Sequence, residues 1–388
     1  MVEAGKTVAL IVAAGSGTRT GGDVPKQFRS LGGKAVLRRA VEPLLRHPAI
    51  GAVRVVVGPG QETLYEAAVA GLAFPSPVAG GAERRDSVRR GLEAIAQQGG
   101  AGAVLIHDAA RPFLPAAVID RLLAALDGAD GAVPVLPVAD TLACAGASLG
   151  EVVPRDGLAR VQTPQAFRFD AILAAHRAWS GGEASDDAQI ARAAGLAVAI
   201  VAGDPALDKL TFEADFERAE AWLASRMVSR TGLGFDVHAF GEGEALWLGG
   251  VRVPHPRGLK GHSDADVVLH AVTDALLGAV AGGDIGVHFP PSDPQWRGAA
   301  SSAFVEHARA LIEAKGGRID HLDVTVICEA PRIGPHRDSM RARLAALLRV
   351  PVARISIKAT TTERLGFTGR GEGIAAQAVA TVRVPEEE

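Results

Sequence analysis

The sequence predicts two domains in tandem: a Rossmann-like α/β unit with a mostly parallel sheet over residues 1–228, and an α+β unit over residues 229–388. Three observations lead there. At 388 residues the chain exceeds one ordinary domain. Up to about residue 225, short apolar runs alternate with helical patterns, the rhythm of strands covered by helices on both faces. Past Met227 that rhythm stops, and a long strand-like opening leads into helices and strands in a different order.

In the first unit, residues 8–13, 53–57, 104–106, 132–135 and 197–201 read as buried strands, being short, β-branched and bounded by turn residues. Helical spacing separates them at 61–70, 87–97, 115–126 and 186–194, and a helix near 212–226 closes the unit. No Pro/Ser-rich linker follows. In the second unit, helices are expected at about 264–281, 302–315 and 335–348, and strands at 323–328, 354–358 and 375–384. In open α/β sheets the chemistry gathers at the carboxyl ends of the strands.

Composition narrows the function classes. Hydrophobic residues at 48% and charged residues at 22% make a globular chain, and 4% aromatics make its cores aliphatic. A formal net charge of -3 without a Lys/Arg run argues against nucleic acid or an anionic membrane as the main partner. Cys144 and Cys328 fall in different halves with no CxxC spacing, so no disulfide framework is expected and a reducing compartment fits. No run of 18 apolar residues suggests a membrane span. The first apolar run ends in a Gly-rich turn and reads as a strand, not a signal peptide, so the expected location is cytoplasmic.

The first strand empties into Ala14-Gly15-Ser16-Gly17-Thr18-Arg19, and Pro25-Lys26-Gln27 follows. Glycines after a strand let backbone N–H groups approach a phosphate, and Arg19 and Lys26 add fixed positive charge. The spacing from Gly15 and Gly17 to Gly21 is GxGxxxG, so neither the dinucleotide fingerprint nor a P-loop is present. Two cations at this spacing suit a triphosphate being cleaved. A bland structural turn is the competing reading.

Further segments decide between these: Gly80-Gly81-Ala82-Glu83-Arg84-Arg85-Asp86-Ser87, His107-Asp108-Ala109-Ala110-Arg111-Pro112, Asp140-Thr141, Thr163-Pro164-Gln165 and Ser185-Asp186-Asp187-Ala188. Together with the Gly-rich turn they resemble the 2-C-methyl-D-erythritol 4-phosphate cytidylyltransferases, across nearly all of residues 5–225. The resemblance implies transfer of CMP from CTP to a methylerythritol phosphate, with Arg19, Lys26 and Lys209 as the catalytic cations. It implies a phosphate cradle at Ala14, Gly15 and Gly17 and a cytidine pocket at Gly81, Arg84 and Ser87. Asp108 would hold Mg²⁺ against the phosphates. Arg111, Thr141 and Arg155 would grip the acceptor's phosphate, one of them supplied by a dimer partner. The chain departs from the family at Ala82, where an acidic residue is common. It departs again at Leu207-Asp208-Lys209-Leu210-Thr211, where Asn-x-Lys-x-Thr is frequent.

In the second half, Asp236-Val237-His238 puts two metal-ligand types on one face of a strand. His262-Ser263-Asp264-Ala265-Asp266 opens a helix carrying His270 and, one turn on, Asp274. An Asp/His/His set with one position left open suits a catalytic divalent metal, Zn²⁺ first. Spacing alone also allows an ordinary half-buried histidine. These segments, with Gly283-Asp284-Ile285-Gly286 and the run from Lys358 to Gly373, resemble the 2-C-methyl-D-erythritol 2,4-cyclodiphosphate synthases over residues 230–384. Leu233 stands where many relatives have His.

That resemblance implies Zn²⁺ on Asp236, His238 and His270, and a second ion, Mg²⁺ or Mn²⁺, on Glu363. The substrate's 2-phosphate would attack its own β-phosphorus and expel CMP. His262 and Ser263 would position the methylerythritol phosphate, and Asp284 and Gly286 the polyol. Ala330, Pro331, Thr361 and Thr362 would hold the cytidine diphosphate, Thr362 counting among the catalytic residues. Relatives form trimers with sites between subunits, which implies Phe367, Arg370 and Glu372 near the trimer axis. A trimeric second domain and a dimeric first would combine into a hexamer. The two reactions are not consecutive, and no third catalytic domain fits in the chain, so a separate kinase is expected between them.

Overall fold

The computed structural model describes residues 7–15, 24–242, 245–261, 263–290 and 298–386. It forms two compact units, Met1–Ala221 and Trp222–Glu388.

The first unit runs β1 (Thr7–Ala13), α1 (Val36–Arg46), β2 (Ile50–Val57), α2 (Glu62–Ala68), β3 (Val78–Ala79), α3 (Arg84–Gln97), β4 (Ala103–Asp108) and α4 (Ala116–Ala125). It continues with β5 (Gly131–Pro137), β6 (Leu142–Ala145), β7 (Leu149–Val153), β8 (Ala159–Val161), β9 (Gln165–Arg168), α5 (Phe169–Ala178), α6 (Asp187–Ala193) and β10 (Val198–Ala202). Helix α7 (Glu213–Ser225) closes it and runs across the division at Ala221.

The main sheet has the order β8-β5-β9-β4-β1-β2-β3, with β10 paired to β5. Strands β1, β2, β3 and β4 run parallel, as do β5 and β10. The rule of alternation explains both layers. Ala9, Ile11 and Ala13 of β1 face α1 and α4 in one core, and Leu10 faces α3, α5 and α6 in the other. The predicted strands and helices of this unit all form.

Three features differ from the sequence reading. Helix α1 carries Pro43 in its interior, which hides the helical signal. Leu37, Val41 and Leu44 nevertheless supply its apolar face. Strand β9 slots antiparallel between β4 and β5, and β8 pairs antiparallel with β5. The β6–β7 hairpin is exposed along its length, so no burial pattern marks it.

The second unit runs β11 (Met227–Gly241), β12 (Leu246–Leu248), β13 (Val251–Val253), β14 (Gly258–Leu259), α8 (Val267–Ala279), α9 (Ile285–His288) and α10 (Ser302–Ala314). Then come β15 (Arg318–Ile327), α11 (Arg337–Leu348), β16 (Ile355–Thr360), α12 (Gly366–Gly369) and β17 (Gly373–Pro385). The sheet order is β14-β11-β17-β15-β16. Strand β17 is antiparallel to β11 and β15, and β16 runs parallel to β15. The apolar α8 packs into a single core with this sheet and with α10 and α11.

Glycine dictates how closely α8 sits. A Cβ on Gly232 would lie 2.1 Å from the Ala275 carbonyl oxygen, and one on Gly234 would lie 1.9 Å from that of Ala271. The helix backbone therefore rests directly on β11, and residue parity carries Asp236 and His238 along the same face. Leu233, Phe235 and Val237 take the other face and are exposed. Asp266 caps α8 by accepting from Val268 N (3.1 Å) and Leu269 N (3.0 Å), and it also accepts from the β12–β13 turn at Gly249 N (2.9 Å) and Gly250 N (2.6 Å).

Candidate active sites

In the first unit, β1 and β4 end side by side in the sheet and open onto a cavity of about 400 Å³. Ala14, Gly15, Lys26, Gly81, Arg84, Ser87, Asp108 and Lys209 line it, so most of the predicted residues come together. Arg19 and Gly17 lie outside the described residues. Arg111 does not line this cavity; its Nη1 donates to the Leu207 carbonyl at 2.5 Å. Thr141 and Arg155 do not line this cavity; both are exposed, and Arg155 donates to the Ala139 carbonyl.

Local bonds build the cradle. Gln27 Nε2 donates to the carbonyls of Ala13 (2.7 Å) and Gly15 (2.8 Å), which ties the Pro-Lys-Gln segment to the turn after β1. Lys26 Nζ donates to the Leu210 carbonyl at 2.8 Å, beside Lys209. Ser87 Oγ accepts from Gly81 N at 3.1 Å and donates to the Glu83 carbonyl at 3.1 Å, shaping the 80–84 loop. Ala82 leaves its position without a charge, but Glu83 beside it lines the cavity. Asp208 pairs with Arg160 (2.6 Å), while Lys209 reaches Asp108.

Asp108 is the electrostatic centre. Its Oδ1 accepts from Arg84 Nε at 3.1 Å and its Oδ2 from Lys209 Nζ at 2.7 Å. Burial pushes this carboxyl up, but Arg84, Lys209 and Arg111 outweigh it and hold it far below the usual carboxylate range. Arg84 bridges onward, with Nη2 2.9 Å from Asp187 Oδ2, and Asp187 Oδ1 lies 3.2 Å from His176 Nε2. Asp187 and His176 are fully enclosed residues that the sequence reading gave no role. The Ser185–Ala188 motif contained Asp187, but nothing in it pointed to Arg84.

Beneath Asp108, His107 is locked neutral. Nε2 lies 3.0 Å from the Arg111 carbonyl, which only accepts, so Nε2 carries the proton. Nδ1 faces Thr163 Oγ1 at 3.1 Å, and that oxygen accepts from Asp108 N at 3.0 Å. Burial, partly offset by Asp108, lowers the imidazole to about 4. An unfolded histidine titrates near ~6.5. This site therefore contributes stability above about pH 6.5 that is lost progressively as pH falls toward 4, because the unfolded chain takes up the proton first. An NMR titration should find the His107 Cε1–H shift flat down to about pH 5, well above the midpoint near 4.

In the second unit three ligand atoms converge. Asp236 Oδ2 lies 2.9 Å from His238 Nε2 and 3.0 Å from His270 Nδ1, and the two ring nitrogens are 3.0 Å apart. Among the described residues, these three are placed so that they could hold a metal ion. His238 Nδ1 faces the Lys260 carbonyl at 2.7 Å, so it donates there and leaves the Nε2 lone pair to the cluster. A carboxylate and two imidazoles meeting in this way fit a divalent transition metal.

The remaining predicted residues divide. Ser263 lies 3.1 Å from His270 Nε2, so it joins the cluster's surroundings, and His262 lies outside the described residues. Asp284 caps α9, accepting from Val287 N at 3.0 Å, with Gly286 inside that turn. Asp274 accepts from Ile285 N at 2.8 Å and ties the same loop to α8. Glu363 lies outside the cluster. It sits in a left-handed pair with Arg364 (φ 52° and 63°), held by Glu329, which accepts from Thr362 N (3.2 Å) and Arg364 N (3.1 Å). Thr361 donates to Glu363 Oε1 at 2.8 Å, and Thr362 donates to the Leu365 carbonyl at 2.7 Å. Ala330 and Pro331 follow Glu329 directly. Phe367 is exposed, and Arg370 pairs at the surface with Glu372 (2.7 Å).

Comparison with known proteins covers both units. Residues 7–225 match the family model of 2-C-methyl-D-erythritol 4-phosphate cytidylyltransferase, and residues 229–383 match that of the YgbB family. A bifunctional enzyme IspD/IspF from Rhizorhabdus wittichii is 67% identical over 378 residues, 97% of each chain. The chain belongs to the bifunctional IspD/IspF family. Another member, from Rhodospirillum rubrum, is 54% identical over 98% of this chain and 99% of its own. The solved structure of the bifunctional IspDF from Campylobacter jejuni is 32% identical over 98% of both chains, with a TM-score of 0.47. Family membership makes this a two-reaction enzyme of isoprenoid biosynthesis: the first domain is a cytidylyltransferase, the second a cyclodiphosphate synthase. No helix among the described residues is long and apolar enough to cross a membrane.

Proposed function

We propose that residues 1–228 transfer CMP from CTP to 2-C-methyl-D-erythritol 4-phosphate at the Asp108 cavity, and that residues 229–388 cyclise the 2-phosphorylated product at the Asp236–His238–His270 cluster. The observation that carries the first half is the convergence of Lys26, Lys209, Arg84 and Asp108 on one cavity that Ala14 and Gly15 also line. Nucleotidyl transfer needs in-line positioning and stabilisation of charge on the α-phosphate. Lys26 and Lys209 supply that charge with Arg19, while the backbone of Ala14, Gly15 and Gly17 cradles the triphosphate. Gly81 and Ser87 shape the cytidine pocket, and Arg84 orients Asp108. Arg111, Thr141 and Arg155 take the acceptor phosphate, one of them supplied by a neighbouring subunit; Thr141 and Arg155 flank the exposed hairpin.

In the second half, Asp236, His238 and His270 hold Zn²⁺, and Glu363 holds Mg²⁺ or Mn²⁺. Asp108 holds Mg²⁺ in the first. When bound, these ions neutralise phosphate charge and polarise phosphate oxygens. Ser263 and His262 orient the methylerythritol phosphate, Asp284 and Gly286 the polyol, and Ala330, Pro331, Thr361 and Thr362 the cytidine diphosphate. Because nucleophile and leaving group belong to one molecule, orientation alone lowers the barrier by up to roughly 7–11 kcal/mol.

Exposed Leu233, Phe235 and Val237 on β11, with Phe367 and Arg370, support assembly through the second unit into a trimer, and a hexamer by symmetry. Unpaired Cys144 and Cys328 support a reducing, cytoplasmic setting. A separate kinase supplies the intermediate phosphorylation. The test is pyrophosphate release from CTP, methylerythritol 4-phosphate and Mg²⁺, with the organic product identified by mass. Cytidine-diphosphate methylerythritol, lost in Lys26→Ala, is expected. Turnover with a different nucleotide only would overturn the substrate assignment.

A further inference from the structure

We propose that Asp264 and Ser301, which belong to neither set of expected site residues, are positioning residues that set the metal affinity of the second site by fixing the proton of His270 on Nε2. The inference rests on the reading of Asp236, His238 and His270 as metal ligands.

The side chain of Ser301 is fully enclosed and links two groups. Its Oγ is 2.5 Å from Asp264 Oδ1 and 2.9 Å from His270 Nε2. Its backbone N–H donates to Asp264 Oδ2 at 3.2 Å, so the carboxylate is held in place from both oxygens. A hydroxyl has one proton, and a carboxylate only accepts. The Ser301 proton therefore goes to Asp264, and its lone pairs face His270. Only a protonated Nε2 matches them. Ser263 Oγ, 3.2 Å from Ser301 Oγ and 3.1 Å from Nε2, accepts from Ala265 N at 3.1 Å and can give its own proton to Ser301. Every bond around Nε2 is then satisfied with a single polarity.

The consequence appears at the other ring nitrogen. A neutral imidazole with its proton on Nε2 has a free lone pair on Nδ1, the atom 3.0 Å from Asp236 Oδ2. His238 is oriented by the Lys260 carbonyl; among the described residues His270 meets the serine–aspartate chain at Nε2 instead. Partners of this kind change metal affinity by roughly 10–100-fold when removed.

Asp264→Asn is the informative variant. It preserves size but lets the side-chain amide donate to Ser301 Oγ, which turns the serine proton toward His270 Nε2 and moves the ring proton to Nδ1. In the full chain, competition with a chromophoric chelator should show the Zn²⁺ dissociation constant raised roughly 10–100-fold. Ser301→Ala should shift in the same direction, and the double variant should add little, since both break one chain. In the Zn²⁺-loaded protein, where Nδ1 faces the metal, the His270 Nε2–H proton held by Ser301 should exchange slowly with solvent in the wild type and faster in Asp264→Asn and Ser301→Ala. Unchanged Zn²⁺ affinity and unchanged Nε2–H exchange in both single variants would overturn the inference while leaving the metal site standing. Wild-type protein that takes up no Zn²⁺ at this cluster would overturn the metal reading, and the inference with it.

Discussion

Replacing Gly234 with alanine should empty the metal cluster and abolish cyclisation, although residue 234 contributes no functional group. Its added Cβ would fall 1.9 Å from the Ala271 carbonyl oxygen, a backbone atom in the middle of α8 that no rotamer change can move aside. The helix must retreat by well over an ångström, and His270 is the residue just before Ala271. An ångström of misplacement at a reacting centre is worth on the order of 10²-fold in rate. Overpacking of this severity also costs on the order of 3 kcal/mol or more of stability in this unit. Bound divalent metal per chain and cyclisation rate should fall together, while CMP transfer persists.

Asp108→Asn should be the most damaging isosteric change in the first unit. The carboxylate balances Arg84 and Lys209 and presents negative charge at the end of β4, where the phosphates and their cation are expected. An amide keeps the shape but cannot neutralise either cation or supply the negative charge proposed to hold Mg²⁺. Loss of one preorganised electrostatic partner typically costs roughly 10²–10³-fold in kcat. Asp187→Asn should act through Arg84 and cost less, because it leaves Asp108 ionised. Pyrophosphate release measures both, and cyclisation by the same preparations should remain at the wild-type rate.

Much of this was legible before any coordinates. Strand β1 and the turn after it, the short apolar strands and the Asp-x-His spacing are local signals, written in neighbouring residues. What sequence reasoning missed is mostly non-local. The burial of α1 despite Pro43, and the insertion of β9 between β4 and β5, depend on contacts far along the chain. So do the two supporting chains. Asp187 meets Arg84 across 103 positions, and Ser301 meets Asp264 across 37. Both are ordinary polar residues in the sequence, and only enclosure beside a functional group gives them a role. Gly234 was visible as part of a motif, yet its reason, the backbone of α8 resting on it, could not be read without the packing.

Both reactions measured side by side in two variants test whether one chain carries two chemistries at two separate constellations. Asp108→Asn should lose cytidylyl transfer and keep cyclisation, and Gly234→Ala should do the reverse. Loss of both reactions in either variant, with the protein still folded, would contradict it.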